Sequence, residues 1–282
     1  MHNHYRVTTL DSLIGNIEIK INNPDLDYDN LYLKRLKEFL EYYIKEKYGN
    51  IRTVAAISLI GKPHRIGNNE IFEDSQWENK NKKFANSFEE LLRSITKSKI
   101  YLLISIEYYN GYPILIVGEP DGLSFEGSMN NNVKLYEIKS FNITEFYTKF
   151  SSKFKDYLLI KKVLKMLKIT SDQLILYQYL LERTQEFGLI GNIDNINLYG
   201  KIYPYSGSKE YLSWARKIIE QNLNIITRYL IKYNVYNLSL KDGGTIYINN
   251  ENIYYFKIDF RVKYNQKAVE NYLNNLNKLL NL

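Results

Sequence analysis

The chain has 282 residues, 45% of them hydrophobic, enough for one large domain or one domain with a substantial extension. It contains no cysteine, which excludes disulfides, cysteine-ligated zinc and iron–sulfur clusters; with three histidines, two of them at His2 and His4, a multi-histidine metal site is not expected. The formal net charge of +7 suits a polyanionic partner, although a lysine-rich composition accounts for it equally well.

In chain order, residues 1–23 predict a strand or two, because Ile17, Ile19 and Ile21 alternate with polar neighbours. Pro24 to Asp27 breaks that pattern. A helix is predicted over 29–48, with Leu33, Leu36, Leu40 and Tyr43 at three- and four-residue spacing and Gly49-Asn50 as its stop. A strand over 53–60 leads into a loop at 61–69 that holds His64. A second helix spans 79–96, with Phe84, Phe88, Leu91, Leu92 and Ile95 on one side. Strands follow at 99–109 and 113–117, joined by the Asn110-Gly111 turn signal, then a loop at 122–132 and a strand at 133–139, as an antiparallel meander.

Helices are expected within 143–154 and over 171–187, the latter capped by Thr170 or Ser171 and stopped by Gly188. The remainder predicts a short strand at 201–205, a helix over 209–232, short strands within 235–262 around Asp242-Gly243-Gly244, and a final helix over 266–280. No repeat or low-complexity linker divides the chain. The first residues lack the apolar core of a signal peptide, and no apolar run approaches the roughly 20 residues that cross a bilayer. A cytoplasmic protein without a membrane partner is therefore expected, in the host cytoplasm if the source is viral. Heavy use of Tyr, Ile, Asn and Lys without cysteine is in the style of proteins of thermophilic archaea and their viruses.

Two short stretches carry chemistry. Gly118-Glu119-Pro120-Asp121 ends the apolar run Ile114-Leu115-Ile116-Val117, and Glu137-Ile138-Lys139 stands sixteen positions after Asp121, behind Val133, Leu135 and Tyr136. Two carboxylates and a lysine then meet at the ends of neighbouring strands. That set suffices for metal-assisted phosphodiester hydrolysis: carboxylates hold Mg²⁺ or Mn²⁺, and the lysine steers water and offsets phosphate charge. Neither motif is specific alone. Glu-x-Lys also occurs at Glu18 and Glu78, and Pro-Asp-Gly is an ordinary turn. Only Glu137 has both a strand before it and the Pro-Asp upstream.

These residues resemble the PD-(D/E)xK nuclease superfamily. Gln173 and Tyr177, four apart on one helical face, match the Gln-x-x-x-Tyr motif of its RecB-type and CRISPR-adaptation branches. The likeness covers about residues 60–205 and departs from the CRISPR-adaptation nucleases in having none of their cluster-binding cysteines. It implies an α/β (α+β) fold with a restriction-endonuclease-like core, a central mixed sheet flanked by helices. Further segments would lie at 1–60 and 206–282, the latter with helix and strands at about 206–262.

The implied activity is a divalent-metal-dependent deoxyribonuclease acting on DNA. Asp121, Glu137 and the Ile138 carbonyl would ligate the metal. His64, in Gly61-Lys62-Pro63-His64, would complete the set, with Glu89, Glu90 and Glu107 as alternatives. Lys139 would position the nucleophile. Gln173 and Tyr177 would hold substrate, as would Lys161 and Lys165 of the basic run Lys153, Lys155, Lys161, Lys162, Lys165 and Lys168, a run that also reads as a solvated helix face. The superfamily makes a homo-oligomer an option. Competing expectations are a catalytically inactive nuclease fold that binds nucleic acid or serves in assembly, and an interaction protein whose motif match is accidental.

Overall fold

A computed structural model describes residues 7–23, 25–60, 76–126, 131–149, 152–248, 250–276 and 280. The chain begins with strand β1 (Val7–Thr9) and helix α1 (Leu10–Ile21). The strand expected across 1–23 is thus mostly a helix. Leu10, Leu13, Ile14 and Ile17 follow helical spacing into the core, Thr9 accepts from Ser12 N–H as the N-cap, and Ile19 is 67% exposed. The Ile17–Ile19–Ile21 alternation was a coincidence of composition. Helices α2 (Asn30–Phe39) and α3 (Lys45–Tyr48) form one rod joined by a wide π turn at Leu40–Ile44, matching the expected helix.

Strand β2 (Arg52–Ala55) is shorter than expected and gives way to one turn of helix, α4 (Ile57–Ile60). Then come α5 (Gln76–Thr96), β3 (Leu103–Tyr109) and β4 (Tyr112–Gly118), as the periodicity predicts. The expected 122–132 loop instead contains β5 (Gly122–Glu126), which pairs with β6 (Asn132–Asn142). After α6 (Thr144–Lys149), a single helix of 35 residues, α7 (Ser152–Glu186), replaces the expected break near 170. Thr170 and Ser171 do not cap: Thr170 Oγ1 donates back to the Met166 carbonyl, and Ser171 Oγ donates to the Tyr233 carbonyl. Gly188, with φ +70°, follows the helix end as expected.

Strand β7 (Asn195–Ser206) and helix α8 (Lys209–Leu230) follow. A long hairpin, β8 (Val235–Ile248) and β9 (Glu251–Val262), replaces the expected short strands. Its register shifts between Lys241 and Gly244 absorb the Asp242-Gly243 irregularity. Helix α9 (Gln266–Leu273) comes last.

The fold is mixed α/β with two mixed sheets flanked by helices, in place of one central sheet. The first has order β1-β2-β4-β3 and the second β5-β6-β7-β9-β8. β2 runs parallel to β4, and β6 parallel to β7; the other pairs are antiparallel. α7 is the crossover that makes β6 and β7 parallel. It packs on strands of both sheets and is buried on every side from Thr170 to Tyr177. Leu174, Leu176 and Leu180 are fully buried, each worth about 1.5–3 kcal/mol.

The sheets cross the boundaries drawn at 60 and 205, since β1 and β2 join β4, and β8 and β9 join β7. A second, aromatic cluster fixes α5 to the other face of the second sheet, with Phe88 stacked on Tyr203 at 4.9 Å. Among the described residues no helix is long and apolar enough to cross a membrane.

Candidate functional site

The site begins where β4 ends. A Cβ on Gly118 would lie 2.5 Å from Leu180 Cδ1 and 2.9 Å from the Tyr177 ring, so only glycine lets α7 settle this close. The chain turns through Glu119 and Pro120 and enters β5 at Gly122, whose partner on β6 is Tyr136. Asp121 therefore falls one step beyond the last β5–β6 pair, beside Glu137. Its Oδ2 accepts from Ile138 N–H at 2.7 Å, in place of the missing strand partner. A strand residue's N–H and C=O point to the same edge, so the Ile138 carbonyl faces Asp121 as well.

Strand alternation puts Glu137 and Lys139 on one face of β6 and Ile138 on the other, in the aromatic cluster against α5. Glu137 is 1% exposed. Its Oε1 accepts from Lys139 Nζ, while Oε2 is buried with no partner. Burial first, then the neighbouring Asp121 charge, push the Glu137 carboxyl up to about 8, and Lys139 offsets only part of this. Burial pushes the Lys139 ammonium down, but Glu137 and Asp121 pull it up further, and it ends above the ordinary lysine value.

Gln173 and Tyr177 reach the same place from α7. The Gln173 side chain lies beside the Tyr177 hydroxyl, and its own Oε1 is buried without a hydrogen-bond partner. Burial, then the charges of Glu137 and Asp121, hold the Tyr177 phenol well above its usual range, so it stays a donor. All six of these residues line one cleft of about 1080 Å³.

Other expected residues are distributed unevenly. Glu89 and Glu90 line the cleft from α5, and the Glu89 charge reaches Glu137. Glu107 does not line it; its carboxylate accepts from Ser105 and Tyr179. His64 lies outside the described residues. Lys161 and Lys165 are exposed on the first half of α7, away from the cleft lining. Lys168 is paired with Asp172, Lys155 sits 3.7 Å from the centre of the Tyr147 ring, and Lys162 is half-buried near Phe141. The Lys153 side chain is outside the described residues.

Three further groups shape the cleft and escaped sequence reasoning. Arg93, 9% exposed, donates from Nε to Asp27 at 2.9 Å and from Nη1 to the Asp121 carbonyl at 3.3 Å, and its Nη1 lies 3.7 Å from Glu89. It clamps the turn that carries Asp121. In sequence, Glu89 and Arg93 read as an ordinary exposed i,i+4 pair. Tyr28 and Lys20 hold the Glu119 carboxylate at 2.6 and 2.9 Å, fastening the same turn to the N-terminal segment. No local pattern announces that contact, because its partners are 91 and 99 residues apart.

Among the described residues no three acidic or histidine side chains converge as a ready metal cluster. The donors that do converge nonetheless fit a hard divalent cation. The Asp121 and Glu137 charges repel, one Glu137 oxygen is buried and unpartnered, and strand geometry puts the Ile138 carbonyl on the edge that faces Asp121. No protein-family model matches the chain, and neither does any curated protein or solved structure.

Proposed function

We propose that this protein is a divalent-metal-dependent deoxyribonuclease of the PD-(D/E)xK type, its restriction-endonuclease-like core formed around β4, β5, β6, α7 and β7. The observation that carries the reading is the buried, unpartnered Glu137 Oε2 beside Asp121, with Lys139 held against the same carboxylate. A carboxylate so placed is costly unless a cation shares it. Asp121, Glu137 and the Ile138 carbonyl would hold Mg²⁺ or Mn²⁺, with Glu89 the described side chain nearest in role to a third acidic ligand. When bound, the metal supplies an activated water and neutralises phosphate charge.

The chain's own groups do the rest. Lys139 places its ammonium where water and a phosphoryl oxygen meet and stabilises negative charge as it develops. Tyr177 donates a hydrogen bond from a phenol that does not ionise, and Gln173 presents a free acceptor beside it.

The test is cleavage of end-labelled linear and closed-circular DNA with Mg²⁺, Mn²⁺ or EDTA, beside Lys139→Ala. Metal-dependent cutting that disappears in the variant is expected. Full activity in the variant would remove Lys139 from the site. Salt-sensitive DNA binding without any cutting would make the protein a catalytically inactive nucleic-acid binder.

A further inference from the structure

The first half of α7 has a face that neither the cleft nor the core uses. Leu159, Val163 and Leu167 bury one side of this half completely. On the opposite side, Phe154, Tyr157, Lys161 and Lys165 follow at spacings of three and four residues, which places them in one stripe. Phe154 is 50% and Tyr157 58% exposed. Their rings are near-parallel, 23° apart with centroids at 6.3 Å. Lys161 Nζ stands 5.9 Å from the Tyr157 ring, and both Lys161 and Lys165 are exposed.

No acidic residue stands between Asp156 and Asp172 along the chain. Asp156 is taken by Trp214 and Asp172 by Lys168 and Tyr272. Burial, and next the charge of Lys165, press the neighbouring Lys162 ammonium down.

The stripe begins about 12 Å along the helix from Gln173, at Lys165, and ends about 28 Å away, at Phe154. It lies roughly a third of a turn around the helix from the Gln173–Tyr177 face. It therefore flanks the cleft and does not enter it. Flat rings followed by exposed ammonium groups match the chemistry of unpaired bases followed by their phosphates. A duplex offers no base faces to such rings, because they are stacked on one another.

We propose that this stripe is a track for single-stranded nucleic acid, on which unpaired bases stack on Phe154 and Tyr157 while phosphates pair with Lys161 and Lys165. That the track delivers a strand to the cleft rests on the nuclease reading; strand binding by itself does not.

The experiment measures fluorescence anisotropy of a labelled oligo(dT) and of a duplex of equal length, in EDTA so that nothing is cut. Phe154→Ala with Tyr157→Ala is expected to weaken oligo(dT) binding about tenfold or more and to leave the duplex nearly unchanged. Lys161→Gln with Lys165→Gln is expected to reduce the salt slope of oligo(dT) binding by about 1.4. Thermal melting confirms folding of each pair variant, since all four side chains are at the surface.

No binding of oligo(dT) by the unaltered protein, or unchanged affinity in both pair variants, would overturn the track. So would tighter retention on phosphatidylserine vesicles than on oligo(dT), which would make the stripe a membrane-facing surface. Absence of cutting with Mg²⁺ or Mn²⁺ would overturn the nuclease reading and leave this measurement intact.

Discussion

The chain contains the tripeptide Glu-Ile-Lys twice, at Glu18-Ile19-Lys20 and at Glu137-Ile138-Lys139, with opposite fates. On α1 the first copy is wound into a helix, where residues two apart point to different sides. Glu18 and Ile19 face outward, and Lys20 turns away from Glu18 to reach Glu119. On β6 the second copy is extended, so Glu137 and Lys139 share a face and form an ion pair beneath α7. Identical covalent chemistry becomes a cleft wall in one place and a candidate catalytic pair in the other. Backbone conformation decides which carboxylate meets its lysine, and burial decides what that meeting is worth.

The sharpest way to separate the two copies is to neutralise each carboxylate. Glu137→Gln, Asp121→Asn or Lys139→Ala is expected to lower metal-dependent cleavage by about a thousandfold or more, the scale of losing a charged group at developing phosphate charge. Glu18→Gln should stay within about twofold in the same assay. Equal losses at both positions would show that the tripeptide matters for stability and not for chemistry.

Titration distinguishes the copies next. The folded-state Glu137 value is raised from the ordinary 4.5 to about 8. The stability this residue contributes is thus fully present below about pH 4.5 and is lost as pH rises through 8. Unfolding in EDTA should therefore show stability falling across that window. Glu137→Gln should flatten the profile, and Mn²⁺ at pH 8 should restore stability to the unaltered protein alone. A profile that Glu137→Gln leaves unchanged would contradict the burial described for this carboxyl.

Two smaller effects probe what holds the second copy in place. Gly118→Ala forces a methyl group against Leu180 and Tyr177, and should cost about 1–3 kcal/mol in urea unfolding. Arg93→Lys keeps the charge but loses the fork that spans Asp27 and the Asp121 carbonyl. Its apparent Mn²⁺ requirement for cleavage should rise about tenfold, with the rate at saturating metal little changed. A fall in that rate without a change in metal requirement would place Arg93 in the chemistry instead.

Much of this was legible along the chain. The apolar run Ile114–Val117 and the strand around Glu137 could be read from composition, and the four-residue spacing of Gln173 and Tyr177 put them on one side of a helix. Where the reading failed, a local signal was ambiguous. Ile17, Ile19 and Ile21 alternate like a strand while Leu10, Leu13, Ile14 and Ile17 repeat like a helix, and the N-cap at Thr9 tips the balance. Thr170 and Ser171 resemble a helix start, yet with both sheets packed around them the helix continues and their hydroxyls bond to carbonyls instead.

The sequence by itself determined the strand that ends just before the Asp121 turn, the strand that carries Glu137, the stop after α7 at Gly188 and the exclusion of cysteine chemistry, because these depend on neighbours within a few residues. Only the tertiary structure decided that there are two sheets, that Arg93 and Lys20 fasten the Asp121 turn, and that one oxygen of Glu137 is sealed from water without a partner. Those features depend on contacts between residues many tens of positions apart, and burial, which gives them their energy, has no local signature in a chain.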